Sequence, residues 1–401
     1  MLQHKLKRPL GKYKNVAGTP SEITQFYCVK DFYTEEGNIT ANTISTFAKQ
    51  VVLRYQRSAD EQITKFLLPI HDIDVIAKNH PSLNKKAFGT EVMKLAIKLW
   101  EDRVDPSSEV LADFDTFLKL FQLSKPVLNY EVLYLDEAQD SNPTTLDIVK
   151  RQVHAKVVYV GDTYQSIYQW RGAVNAMEEI IAPAKVLSKS FRYGQAIADI
   201  AKWVIDDVID VKGHESIGSK VINSFDDIGS NKYTCIFRTN AELLHHAVKL
   251  VKEGKNIYVD IDTRNFIKKI ESVENLFQGK LKEVKHEDIT MYSTWSDLIE
   301  GAEDDPELKR VSRIVETRQT FNFIKALTSV EKKTTNADII LTTAHKSKGM
   351  EWEYVVLADD FNMDSVIESK NQADINLFYV ACTRAIKVLQ LPKALDGIFK
   401  E

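Results

Sequence analysis

Apolar residues along the chain gather in short β-branched runs, each closed by polar residues: Val132 to Leu135, Val157 to Val160, Thr234 to Phe237, Ile339 to Thr343 and Tyr354 to Leu357. Uninterrupted runs of this kind predict strands buried on both faces of a parallel sheet. Between them apolar positions recur at helical spacing, over Tyr193 to Val208, Ala241 to Lys252 and Ile375 to Ala385. The alternation of strand and helix predicts an α/β fold. Residues 50–127 carry mainly helical periodicity, as in Glu91 to Trp100 and Phe114 to Phe121, whereas residues 256–335 are polar and mixed. Both segments read as insertions into α/β cores.

Composition narrows the class without changing the fold. A chain of 401 residues allows two to three domains at about 150 residues each. With 44% hydrophobic and 27% charged residues, 15 Gly and 10 Pro, it is globular and neither disordered nor collagenous. Lys and Arg total 53 against 57 Asp and Glu, a net charge of −4, so contact with nucleic acid must come from local patches. One basic stretch exists, Lys5, Lys7, Arg8, Lys12 and Lys14, and it reads first as a solvated tail. Cys28, Cys235 and Cys382 lie far apart and outside any metal spacing, which points to a reducing compartment and no disulfide framework. The first residues have no signal-like apolar region and no run of about 18 apolar residues occurs, so secretion and membrane spanning are not expected.

The chemistry is concentrated after two of the runs. Val132-Leu-Tyr-Leu-Asp136-Glu137-Ala138-Gln139-Asp140 delivers adjacent acids to the C-terminal end of a strand, where α/β sheets bind ligands. Alone it is a metal and water-activating site or a solvated acidic turn. Past the next strand comes Gly161-Asp-Thr-Tyr-Gln165-Ser-Ile-Tyr168-Gln-Trp170-Arg171-Gly172-Ala173. Its glutamine can hydrogen-bond a phosphate, and its closely spaced aromatics and arginine suit stacking on single-stranded nucleic acid. Core aromatics and a surface arginine are the plain reading of the same residues.

Together these two segments resemble motifs II and III of the UvrD/Rep type of superfamily 1 DNA helicases. Further motifs follow in family order. Ser190-Phe191-Arg192 resembles motif IV, Thr342-Thr343-Ala344-His345-Lys346-Ser347-Lys348-Gly349-Met350-Glu351 motif V, and Tyr379-Val380-Ala381-Cys382-Thr383-Arg384-Ala385 motif VI. Asn42-Thr43-Ile44-Ser45-Thr46-Phe47-Ala48 is similar to the DNA-backbone motif, with Ser45 where the family usually has histidine. Trp295-Ser-Asp-Leu, Ala302-Glu-Asp-Asp-Pro-Glu-Leu and Ala358-Asp-Asp-Phe361 resemble the F-box DNA helicase branch, in its helicase portion only.

The resemblance implies two RecA-like α/β domains of the P-loop NTPase type: residues 1–49 and 128–183, interrupted by a helical insertion at 50–127, then 184–255 and 336–401, interrupted by a reduced insertion at 256–335. It implies ATP and Mg²⁺, with Asp136 on the metal, Glu137 activating water, Gln165 coupling phosphate to DNA, and Arg192 and Arg384 on the γ-phosphate. Phe191 would stack on adenine and Glu351 meet the ribose. Thr43, Tyr168, Trp170, Arg171 and His345 would contact DNA, as single strands or single-strand/duplex junctions. The implied activity is 3′ to 5′ movement in DNA repair, recombination or replication, inside the cell, in the cytoplasm with the nucleoid or in the nucleus.

One part is missing. The family needs a phosphate-cradling loop, G-x-x-x-x-G-K-[ST], yet Gly11-Lys12, Gly254-Lys255 and Gly279-Lys280 are followed by Tyr13, Asn256 and Leu281. The nearest segment, Asn15-Val16-Ala17-Gly18-Thr19-Pro20-Ser21-Glu22-Ile23-Thr24, begins as the loop does and continues without Gly-Lys-Thr. Two readings stay open: a truncated or deleted version of an active helicase, or an ATPase-deficient pseudo-helicase that binds DNA or regulates.

Overall fold

A computed structural model describes residues 18–169, 174–223, 228–229, 231–302, 305–331 and 333–396. The chain divides into two compact units, one of Met1–Val160, Tyr168–Ala176 and Lys268–Ser312, the other of Gly161–Ile167, Met177–Ile267 and Arg313–Glu401. The segment expected as the second insertion, 256–335, is therefore shared, with 268–312 in the first unit.

The first unit is built on helices. A short antiparallel hairpin, β1 (Phe32–Thr34) and β2 (Gly37–Ile39), leads into the helix Ala41–Arg57. Thr40 caps that helix by accepting from the Thr43 amide, and Arg54 and Arg57 lie in its last turn, where cations suit the helix dipole. Its Phe47, Val51 and Val52 form one core with Phe88, Val92, Ala96 and Leu99 of the helix Lys85–Val104. The repeat of buried positions every three to four residues makes this an amphipathic pair, as the periodicity predicts. The helix Phe114–Leu123 is capped by Asp113.

The acidic motif sits on β3 (Val132–Leu135), which pairs in parallel with β4 (Lys156–Tyr159), Val132 opposite Lys156 and Leu135 opposite Tyr159. Among the described residues no further strand joins this pair. The prediction of strands buried on both faces fails here, since Val132 is exposed and Tyr134 is 74% exposed. A parallel sheet is normally covered on both faces by its crossover helices, and a two-stranded pair leaves side chains of the right type uncovered.

The second unit carries a six-stranded parallel sheet in the order β5-β10-β9-β6-β8-β7. The strands are β5 (Lys220–Ile222), β6 (Tyr233–Phe237), β7 (Ile257–Val259), β8 (Ile339–Thr343), β9 (Trp352–Leu357) and β10 (Ala385–Gln390). Here the prediction holds: Ile236, Leu341 and Val355 are fully buried. The helix predicted to reach Ala385 spans Gln372–Cys382 and is buried from Ile375 to Cys382, while Ala385 opens β10. The helix predicted over Tyr193 to Val208 is Gln195–Val204. The fold is thus mixed α/β with a parallel sheet, and among the described residues no helix is long and apolar enough to cross a membrane.

Candidate functional site

In the first unit, β3 ends at Leu135 and presents Asp136 and Glu137, both exposed. Glu137 adopts the left-handed conformation, with φ of 50°. A non-glycine residue held there carries local backbone strain, a feature found at functional turns. The Asp136 carboxylate accepts the Glu137 amide at 3.0 Å, and Gln139 donates its side-chain amide to the Glu137 carboxylate. The turn is thus ordered by its own acids. Among the described residues no group of three His, Cys, Asp or Glu side chains is arranged to hold a metal ion.

The start of the helix Pro20–Phe26 is where a phosphate cradle would lie, and the amides of Gly18, Thr19 and Glu22 there are already used. Glu22 accepts the amides of Gly18 at 3.1 Å and Thr19 at 2.8 Å, while the Thr19 hydroxyl accepts the Glu22 amide. Pro20 has no amide to offer. This capping box places a carboxylate at the positive end of the helix, the position an anionic phosphate would need. With no lysine in the loop either, the residues present do not fit the triphosphate of ATP. Thr43 is fully buried, its hydroxyl engaged with Thr40 at 2.9 Å and the Met291 carbonyl at 3.3 Å. Tyr168 is half-buried. Trp170 and Arg171 lie outside the described residues.

The second unit brings most of the remaining predicted residues together. Arg192 donates from Nε to the Glu351 carboxylate at 2.8 Å and from Nη1 to the Thr383 carbonyl at 3.1 Å, tying motifs IV, V and VI to one another. Phe191, beside it, is 77% exposed, with its ring 5.4 Å from that of His214. An exposed aromatic face next to an arginine and a carboxylate has the chemistry to receive a purine ribonucleoside. His345, half-buried, follows the C-terminal end of β8, the ligand-binding end of a parallel sheet.

Arg384 occupies a different environment. It is 1% exposed and donates to the Val380 carbonyl at 2.9 Å, the Met350 carbonyl at 3.2 Å and the Thr383 hydroxyl at 3.0 Å. Burial, then the charge of Arg192, pulls its guanidinium down to about 10. Its donors hold the end of helix Gln372–Cys382 to the loop before β9.

Gln165 donates to the Asp162 carboxylate at 2.7 Å, and the short segment carrying it is gripped by residues that the motif reading passed over. Lys348 donates to the Gln165 carbonyl at 2.7 Å, and buried Asn376 donates to the Ser166 carbonyl at 2.8 Å and the Thr163 carbonyl at 3.4 Å. The Tyr379 ring lies 5.9 Å from that of Tyr164. Burial, and then the nearby Asp162 carboxylate, pushes the Tyr379 hydroxyl well above its usual range. The sequence signal for Asn376 is one polar residue inside the apolar run Ile375 to Cys382, a position that must find a partner.

Known protein families match both halves of the chain. Residues 14–180 match the UvrD/REP helicase N-terminal domain and residues 214–395 the UvrD-like helicase C-terminal domain. The chain is 32% identical to F-box DNA helicase protein 1 of Schizosaccharomyces pombe over 317 residues, covering 70% of this chain and 36% of that protein. It is 30% identical to F-box DNA helicase 1 of Gallus gallus over 320 residues, 71% of this chain and 31% of that protein. A shorter match, 35% over 113 residues, joins it to the ATP-dependent DNA helicase PcrA of Leuconostoc citreum, covering 23% of this chain and 15% of that protein. The chain spans about a third of the length of the F-box helicases it matches. On the strength of both domain matches and the motifs that fill them, the chain belongs to the UvrD-like family of DNA helicases.

Proposed function

We propose that this chain is a DNA-binding module of the helicase family that engages single-stranded DNA without turning over ATP. The observation that carries this reading is the start of helix Pro20–Phe26, where Glu22 takes the amides of Gly18 and Thr19. A resident carboxylate there repels the phosphates that a cradle must attract, and no lysine offsets it. Binding to DNA would rest on Tyr168, Trp170, Arg171 and His345, whose stacking faces and cations suit unpaired bases and their backbone. The cellular setting is a compartment that holds DNA, and the substrate is single strands or single-strand/duplex junctions.

A second reading, ATP- and Mg²⁺-dependent 3′ to 5′ translocation as in an intact helicase, is favoured by one feature. Phe191 is exposed next to Arg192, which is paired with Glu351 in the second unit, and a ring and ion pair so placed suit a nucleoside. Measuring ATP hydrolysis with and without single-stranded DNA separates the two. The proposal expects no turnover above a Glu137→Gln control while DNA binding persists, and DNA-stimulated turnover that Glu137→Gln abolishes establishes the second reading. Failure to bind DNA at low salt refutes both. Trp170→Ala is expected to weaken single-strand binding by about 1–3 kcal/mol through loss of a stacking face, and an unchanged Kd would remove Trp170 from the DNA site.

A further inference from the structure

The turn after β8 carries two lysines, and the fold uses them differently. Lys348 is spent on the Gln165 carbonyl, whereas the Lys346 side chain is 48% exposed. β8 ends at Thr343 and the short helix Ala344–Ser347 follows at once, so Lys346 stands at the C-terminal end of the parallel sheet, next to His345. Ligands of parallel α/β sheets gather at that end.

The carboxylate beside Lys346 is Asp260, which directly follows β7, the strand paired with β8. Asp260 is fixed from two sides. Its amide donates to the Leu341 carbonyl at 2.8 Å, and its Oδ2 accepts the hydroxyl of fully buried Thr342 at 3.1 Å. The other oxygen, Oδ1, stands 3.6 Å from the Lys346 ammonium. A charge-assisted hydrogen bond between such groups closes to about 2.7–2.9 Å, so this pair is loose. An exposed ion pair of that kind contributes little to stability. The carboxylate is thus anchored to the sheet, and the ammonium is held only by attraction across the gap. A phosphate oxygen can approach the ammonium to hydrogen-bond distance, which Asp260 does not.

On the reading of this chain as a single-strand DNA binder, we propose that Lys346 binds a backbone phosphate of the strand, beside the contact assigned to His345. Asp260 is its positioning residue: it keeps the ammonium at the sheet end when DNA is absent and competes with phosphate when DNA arrives. A phosphate contact fixes a strand in place and reads no base, so this one is independent of sequence and dependent on salt. Each phosphate neutralised on a single strand steepens the fall of log K with log salt by about 0.7. Referred to 1 M salt, one such contact is worth about eightfold in affinity at 50 mM NaCl and about threefold at 200 mM.

The test measures binding of a fluorescent oligothymidylate to the full chain by anisotropy, from 50 to 200 mM NaCl. Lys346→Met should bind about eightfold more weakly at 50 mM and about threefold at 200 mM, its salt slope smaller by about 0.7, and Lys346→Arg should restore both. Asp260→Asn keeps an acceptor for the Thr342 hydroxyl and should tighten binding at 50 mM by at least about twofold. That gain should vanish in the Lys346→Met background, because the carboxylate acts through the lysine. Structural damage alone yields neither a gain in affinity nor a shallower salt slope. An unchanged slope in Lys346→Met, or an Asp260→Asn gain of equal size with and without the lysine, overturns the proposal alone. No binding by the unmodified chain at 50 mM overturns the DNA reading and the proposal with it. If Lys346→Met does not fold, Asp260→Asn decides, and unchanged or weakened affinity overturns the proposal.

Discussion

Lys119 is a fully buried lysine in the helical insertion, and replacing it with methionine gives an effect whose size depends on pH. Its ammonium donates to the Ser58 carbonyl at 2.9 Å and to the Asp60 carbonyl, and lies 4.4 Å from the centre of the Tyr55 ring. Methionine keeps the stem and removes the donors. The Ser58 carbonyl retains the Thr144 hydroxyl at 2.8 Å, so its loss is about 1 kcal/mol, whereas the Asp60 carbonyl forfeits its ammonium donor at about 1–3 kcal/mol. The variant should therefore be about 2–4 kcal/mol less stable than a chain with neutral Lys119. Charge changes this balance. Burial pushes Lys119 from 10.5 down to about 8, against the carboxylates of Asp60, Asp147 and Glu61, which pull it up. Below pH 8 both folded and unfolded chains hold the proton and the whole cost of the buried charge is present. Between 8 and 10.5 the unfolded chain binds a proton that the folded chain has released, so the unmodified protein gains stability as pH rises. At about 1.4 kcal/mol per pH unit, the gain over that interval is about 3 kcal/mol. Lys119→Met should then be within about 1 kcal/mol of the unmodified protein at pH 7 and lose most of the 2–4 kcal/mol at pH 10. Burial pushes Tyr55 up to about 12, which keeps it neutral throughout. Urea unfolding of both proteins at pH 7, 8.5 and 10, followed by circular dichroism, measures the difference. A gap between the two that does not change with pH would refute the reasoning.

Three further outcomes test the site and the core. Arg384→Met should lower the stability of the nucleotide-free chain by about 2–5 kcal/mol, because two carbonyls and a hydroxyl lose a buried guanidinium, and an unchanged denaturation midpoint would show those bonds to be worth nothing. Asn376→Ala should cost about 1–3 kcal/mol and speed amide hydrogen exchange in residues 163–166. Equal exchange in both proteins would mean that Lys348 and Tyr379 hold the segment without it. Native thiol titration with a disulfide reagent should find Cys28 alone reactive, because burial pushes the thiols of Cys235 and Cys382 well up while Cys28 is exposed. Rapid reaction of Cys382 would contradict its burial in the helix Gln372–Cys382.

The parts of the protein that depend on local pattern were legible before any coordinates. Runs of β-branched residues marked β3, β4, β6, β8 and β9, because a buried strand needs consecutive apolar side chains and little else. The short or polar strands β5, β7 and β10 escaped, since Lys220 and Lys387 break the run, β7 is only three residues long, and neighbouring strands supply the pairing. Family motifs, and the absence of Gly-Lys-Thr after Gly18, were equally plain, because they are statements about residue identity. Partner choice was not. Arg192 and Arg384 are chemically identical, yet one meets Glu351 on an accessible edge while the other is sealed against the carbonyls of Val380 and Met350. Only the chain folded over each could decide that. The same holds for Glu22, which the sequence shows as one acid among many and the structure shows occupying the helix end that a phosphate would require. It holds also for the 268–312 segment, whose Thr290 and Met291 reach Thr46 and Thr43 across more than two hundred residues of sequence. Secondary structure follows from neighbours a few residues away. Burial, hydrogen-bond satisfaction and the use of each charge follow from neighbours in space, and those are set by the tertiary fold.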